Sequence, residues 1–255
     1  MILPFLSYCR SWLENVRRKL LWWRSSSSVM IATTSGMDPD NDLPDLTGFV
    51  SKDSAPHPIA HGSFGDVWKC TYIAPNRPGL EVAVKSIRID VAGDEFRVRV
   101  TQRLLGDFRA RKQLHHENLL PLLGFSHEFG LLPAMVSPWI HNGSLTTYIE
   151  HHFTEMTMEQ KLRIVSGISE VLGVVHGDLT ANNILIDSDH NAHVADHGIL
   201  TMCSELSGTS YIRSNVRWAA PELFEVSENE ESLTPQSASD IYSLGCIMLQ
   251  VRDVP

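Results

Sequence analysis

Cysteine is scarce in these 255 residues, and its four copies (Cys9, Cys70, Cys203, Cys246) stand far apart with no C-x-x-C pair. That argues against a disulfide framework and predicts free thiols in a reducing, cytoplasmic setting. Long apolar runs are missing too: no stretch approaches the roughly 18 residues that a membrane span requires, and no secretory leader is evident. Basic residues are in deficit, 21 Lys and Arg against 30 Asp and Glu, and the net charge of −9 argues against nucleic acid as a partner. Apolar residues are plentiful. At 43% hydrophobic and 20% charged, the chain can bury one sizeable core, or two lobes sharing a cleft.

The charge is unevenly placed. Residues 1–24 hold five bases (Arg10, Arg17, Arg18, Lys19, Arg24) against one acid (Glu14), an excess of +4 that leaves −13 for the remainder. Leu13, Val16, Leu20 and Trp23 recur at helical spacing, with Arg17, Arg18 and Lys19 mostly off that stripe. A basic amphipathic leader helix with tryptophans suits peripheral contact with an anionic membrane. It suits docking on its own domain equally well, or no function at all, and the pattern does not choose. Ser25–Ser28 then open a stretch rich in Ser, Asp and Pro that reads as a flexible linker over 25–58.

From Ile59 the texture changes. A glycine-rich turn, AHGSFG, is followed by the strand-like runs DVWKCTYI and LEVAVKSI. A helix is predicted over Asp94–Leu114, then strands near Leu120–Phe125 and Ala134–Trp139. After HNGS the pattern turns helical, and Thr157 and Gln160 have the spacing of a capping box for the next helix. Short strands near Ile184–Ile186 and His193–Ala195 flank a polar turn. A last helix spans Ser237–Val251, with Ile241, Leu244, Ile247, Met248 and Val251 on its apolar side. A sheet-rich part followed by a helix-rich part predicts an α+β, two-lobed architecture.

Gly62 and Gly65 fit a turn whose N–H groups approach phosphate oxygens without a Cβ clash, with Phe64 at its tip. Alone, that turn could be any hairpin. Lys85 ends a Val-Ala-Val-Lys run inside an apolar strand, where it is either a snorkelling edge residue or a cation aimed into a cleft. The decisive segment is HGDLTANN, His176 to Asn183, followed by ADHG from Ala195. Phosphoryl transfer needs a carboxylate to orient and deprotonate the attacking hydroxyl, and oxygen ligands for magnesium. Asp178, Asn183 and Asp196 supply both.

The motifs AHGSFGDV, VAVK, HGDLTANN, DHG, AAPE and SDIYSLG fall in the order of a protein kinase, and the chain from Ile59 to Val251 resembles that family's catalytic domain. DLTGFVSK, LLPLLGF, VSPWIHNGSL and HGDL look most like the tyrosine-kinase-like group abundant in fungi. The resemblance implies a two-lobed protein-kinase-like fold, N-lobe and hinge over 59–140 and a partial C-lobe over 141–255. It implies ATP and Mg²⁺ as cofactors, and transfer of the γ-phosphoryl group to Ser/Thr or Tyr hydroxyls of an unknown protein. By it, Lys85 would hold the α/β-phosphates, Asp178 would be the catalytic base assisted by Asn183, and Asn183 and Asp196 would bind metal. Ala60, Gly62, Phe64, Gly65, Val67, Ala83 and Leu185 would wall the nucleotide. Ser137 would gate the adenine pocket, with Pro138, Trp139 and Ile140 as the hinge strand. Asp240 would brace the catalytic loop. Residues 196–222 would form the activation segment, with Thr201, Ser204, Ser207, Thr209, Ser210 and Tyr211 as phosphosites.

Several positions depart from that pattern. Ala60 replaces the first loop glycine. Asp107, one methylene short, stands where a helix glutamate should pair with Lys85, and Gly106 beside it weakens the helix by about 1 kcal/mol. Arg111 and His197 put polar groups into an apolar stack between the lobes, which should destabilise the closed active arrangement unless each finds a partner. Gly177 stands where many kinases carry an arginine that reads activation-segment phosphate. Thr180 replaces the lysine typical of serine/threonine kinases, while RWAAPE leans toward tyrosine kinases. The helix before the catalytic loop is shorter than usual by more than one turn. With the chain ending at Pro255, Ile247 and Val251 are expected to lie bare, and Glu222 to lack its usual buried arginine partner. These departures keep open a pseudokinase scaffold or an inert truncated fragment. His190, His193 and His197 could suggest zinc, but the resemblance places them in a turn, in a strand and beside the metal loop.

Overall fold

Antiparallel pairing builds the N-terminal lobe. The computed structural model describes residues 43–52, 57–62, 65–74, 78–91, 93–207, 215–224 and 237–252. The helix predicted in 1–24, and Phe64, Thr209, Ser210 and Tyr211, lie outside them. Strands β1 (Val50–Lys52), β2 (Ala60–Gly62), β3 (Gly65–Tyr72), β4 (Leu80–Ile87), β5 (Gly124–Ser126) and β6 (Ala134–Pro138) form one sheet. Its order is β1-β3-β4-β6-β5, with β2 folded back on β3.

Alternation along β4 and β6 decides which face does what. Val82, Val84, Ala134 and Val136 are fully buried with Leu46, Val50, Cys70 and Phe129 on one face. Ala83, Lys85, Met135 and Ser137 take the other, and all four line a cleft. Gly65 is required where β3 meets β4: a Cβ there would stand 1.7 Å from the Ser86 carbonyl oxygen.

The stretch 43–52 is not linker. Leu43, Leu46 and Val50 are buried, β1 pairs with β3, and Leu46 N–H donates to the Phe125 carbonyl at 2.8 Å. Composition misled here because the apolar residues are few, and their burial comes from a strand some 80 residues away. The predicted strand at Leu120–Phe125 likewise starts only at Gly124.

Helix α1 (Asp94–Lys112) packs on the sheet through Val100, Leu104 and Phe108. The predicted capping box is realised, and a second cap stands beside it. Ser144 accepts from Thr147 N–H at the start of α2 (Leu145–His152), and Thr157 and Gln160 complete a capping box on α3 (Met158–Glu170). A short hairpin, β7 (Ile184–Ile186) and β8 (Ala192–Val194), follows the loop that ends at Asn183. Next comes α4 (Ile199–Ser207), a helix inside the expected activation segment that the sequence did not announce. Helix α5 (Ser237–Arg252) closes the described lobe. Its Ile247 and Val251 are not bare but 0% and 2% exposed, because α5 packs against α3; Tyr242 and Leu249 are the exposed members. Among the described residues no helix is long and apolar enough to cross a membrane.

Candidate active site

The loop from His176 to Asn183 is built on Asp240. That carboxylate, buried at the start of α5, accepts the N–H of His176 at 2.7 Å and of Gly177 at 3.0 Å. Gly177 has φ +82, the left-handed region that disfavours side chains. A larger residue here would be strained in this conformation, so the glycine has a backbone role.

His176 is the next support. Its Nε2 donates to the Ala195 carbonyl at 2.7 Å, and its Nδ1 accepts the N–H of Asp178 at 3.2 Å. One ring thus fixes the residue before Asp196 relative to Asp178. Burial pushes its pKa down to about 4, with His197 and Arg111 adding repulsion. Asn183 repeats the link: its Nδ2 donates to the Asp178 carbonyl at 2.8 Å, and its own carbonyl accepts Ala195 N–H at 2.8 Å. The predicted trio is therefore one connected unit.

Lys85 joins it from the sheet, with its Nζ ion-paired to Asp196 Oδ2. Asp196 has φ +59, an uncommon backbone state for a residue other than glycine. A cavity of about 420 Å³ opens between the lobes, within the size range of small-ligand sites. Ala60, Val67, Ala83, Lys85, Ser137, Pro138, Trp139, Ile140, Leu185 and Asp196 all line it. Gly62 and Gly65 are paired at the turn of the β2–β3 hairpin and are not among the residues lining the cavity.

A nucleotide with its metal fits this donor set. A Cβ on Gly62 would stand 3.9 Å from Lys85 Nζ, so the glycine leaves room beside the cation. Asn183 has spent its amide nitrogen on the Asp178 carbonyl, and its Oδ1 and the Asp196 carboxylate are oxygens of the kind a hard cation takes.

The helix side of the site is arranged differently from the sequence expectation. Asp107 does not reach Lys85; its Oδ2 lies 3.5 Å from Arg103 on the same helix. Arg103 also pairs with Glu205 of α4 at 3.0 Å. Val100, Leu104 and Phe108 of α1 share a core with Ile199, Leu200, Met202 and Cys203 of α4. Arg111 does find a partner, donating Nε to the His197 carbonyl at 2.8 Å. Desolvation lowers its pKa, and the carboxylates of Asp107 and Asp196 oppose that shift. The His197 ring sits edge-on to His176, centroids 5.8 Å apart. Burial, then Arg111, lowers its pKa, so it is held neutral. His190 and His193 serve structure, bonding Tyr148 at 2.8 Å and Asp187 at 2.9 Å. Glu222 is exposed, with no ion pair among the described residues.

Asn215 was missed by the sequence reading. Its Nδ2 lies 3.3 and 3.4 Å from the two carboxylate oxygens of Asp178. Only its place seven residues before Glu222 of AAPE could have marked it.

A protein-family model described as protein tyrosine and serine/threonine kinase matches residues 54–253. The chain is 29% identical over 203 residues to human ephrin type-A receptor 8, covering 76% of this chain and 19% of that protein. It is 26% identical over 216 residues to the Arabidopsis thaliana serine/threonine-protein kinase BRI1-like 2, covering 78% and 17%. Against the Oryza sativa L-type lectin-domain containing receptor kinase SIT1 it is 27% identical over 205 residues, covering 76% and 28%. The chain thus spans a minor part of each relative's length.

Proposed function

We propose that this chain, which belongs to the protein tyrosine and serine/threonine kinase family, transfers the γ-phosphoryl group of ATP to a protein hydroxyl with Mg²⁺. The observation that carries the reading is the linked set in which Asn183 bonds Asp178, the Asn183 carbonyl holds the residue before Asp196, and Asp196 pairs with Lys85, the last two lining one cavity. Asp178 would accept the proton of the substrate hydroxyl, and Lys85 would hold the phosphates. Asn183 and Asp196 would hold the metal, which when bound neutralises charge on the phosphate oxygens. Ala60, Val67, Ala83 and Leu185 would wall the base, and the backbone of Pro138–Ile140 would meet its edge. The motifs DLTGFVSK, LLPLLGF, VSPWIHNGSL and HGDL support placement in the tyrosine-kinase-like group abundant in fungi.

The described arrangement is a resting one. Lys85 and Asp196 neutralise each other, so that pair must open for phosphate and metal. A second reading, a pseudokinase scaffold, draws on Asp107, whose carboxylate is engaged by Arg103 instead of Lys85. Incubation with γ-labelled ATP, Mg²⁺ and a mixed peptide library, followed by phosphoamino-acid analysis, separates the two. Label on Ser, Thr or Tyr supports the kinase; nucleotide binding without label supports the scaffold. We further propose a cytoplasmic protein whose residues 1–24 touch membrane, a reading that fails if the full chain does not float with anionic vesicles.

A further inference from the structure

We propose that Arg88 is a positioning residue for ATP: from the outer face of the sheet it clasps strand β2 and sets how closely the β2 backbone stands to Lys85. This rests on the reading of the cleft as the nucleotide site. Strand β2 is three residues long and lies off the main path of the sheet, and among the described residues it pairs with β3 alone. Yet Ala60 lines the cavity, and a Cβ on Gly62 would stand 3.9 Å from Lys85 Nζ.

Register separates the two faces of the hairpin. Ala60, Val67 and Lys85 are cross-strand neighbours, and all three line the cavity. His61, Asp66 and Ser86 form the next row of neighbours and therefore face away from it. Arg88 follows two residues after Ser86 and reaches that same side. Its Nη1 lies 3.5 Å from the Asp66 carboxylate, and its Nη2 donates to the Gly62 carbonyl at 2.6 Å. His61 Nδ1 meets the same Asp66 oxygen at 2.7 Å, and Ser86 Oγ donates to the Asp66 carbonyl at 3.3 Å. One guanidinium thus ties the end of β2 to the end of β4 across the intervening β3.

Gly62 stands between two cations, Lys85 on the cleft side and Arg88 outside. The start of β2 is held separately, by Ile59 N–H on the Val67 carbonyl at 2.8 Å. The clasp therefore bears on the Gly62 end, the end beside Lys85, where phosphates would lie. The Arg88 side chain is 54% exposed, so its contacts fix the place of β2 and add little to the core. Exposed contacts of this kind shift an equilibrium only a few-fold, and the shift falls on the phosphates rather than on the base at the hinge.

Mg-ATP and adenosine are titrated by calorimetry into the full chain and into Arg88→Gln, Arg88→Lys and Asp66→Ala. Mg-ATP affinity should fall about three- to fivefold in Arg88→Gln and in Asp66→Ala, with adenosine affinity unchanged. Arg88→Lys keeps the charge and should recover part of the loss. Without nucleotide, amide exchange of the β2 residues, read by NMR, should quicken about threefold in Arg88→Gln. Three results would overturn the clasp: equal losses for Mg-ATP and adenosine, a loss in Arg88→Gln that Asp66→Ala does not share, or unchanged exchange. The first marks a general effect on the fold, and the second a direct contact with phosphate. Failure of the unmodified chain to bind Mg-ATP would instead overturn the nucleotide reading, and the exchange rates would still decide whether Arg88 holds β2.

Discussion

Arg103 of helix α1 pairs with Glu205 of helix α4 at 3.0 Å, tying the helix beside the cleft to the start of the activation segment. The same guanidinium holds Asp107 at 3.5 Å. It thus steadies α4 and draws away the carboxylate nearest the position expected to serve Lys85. Both members of the Arg103–Glu205 pair are more than half exposed, so the bond is worth about 1 kcal/mol or less.

Arg103→Gln should therefore loosen α4 without unfolding the lobe. Cys203 reports on it: the thiol is fully buried between the two helices, and burial pushes its pKa up to about 11. Alkylation of Cys203 should accelerate by up to about fivefold in the variant. Peptide mass mapping would detect this; an unchanged rate would mean the pair does not hold the helices together.

Asp107→Glu adds the missing methylene. A misplacement of about 1 Å can cost on the order of 10²-fold in rate, so phosphoryl transfer should rise by roughly tenfold with little change in Mg-ATP affinity. Steady-state kinetics would show this as a gain in kcat rather than in KM.

His176 makes the fold acid-sensitive. Nδ1 accepts the Asp178 N–H, so the folded ring must stay neutral there. Its pKa falls from 6.5 to about 4 on folding, and the unfolded chain binds more protons between those values. The stability from neutral His176 is complete above pH 6.5 and is lost as pH falls toward 4, about 3 kcal/mol in all. Urea midpoints measured across that window should decline with acid, and the decline should shrink in His176→Gln.

Asp240→Ala strips the acceptor from the N–H groups of His176 and Gly177, both in buried positions. Two unsatisfied donors cost about 2–5 kcal/mol together. Chemical unfolding should show that loss, and Asp240→Asn, which keeps one acceptor oxygen, should recover part of it.

Much of this was written in the chain. The capping box at Thr157 and Gln160 uses neighbours, so local spacing reveals it. The candidate trio was legible because Asp178 and Asn183 share a loop and Asp196 follows a short hairpin. What stayed hidden depends on distant partners. Leu43 and Leu46 look like linker until Phe125 and its neighbours cover them. Helix α4 exists against α1, and its own sequence suggested only a loop with phosphosites. Arg111 looked like a fault in an apolar stack, because the His197 carbonyl that satisfies it is set by a turn 86 residues away. Asn215 carries no motif and gains meaning only from the carboxylate beneath it.

The central claim is that Asp178 takes a proton from a hydroxyl while ATP is held above it. Single-turnover transfer of labelled phosphate should be compared between the unmodified chain and Asp178→Asn, with Mg-ATP bound to the same extent in both. A fall of at least about 10²-fold at unchanged nucleotide affinity is predicted, in line with a positioned general base. Equal transfer by both proteins, or none from a chain saturated with Mg-ATP, would contradict it.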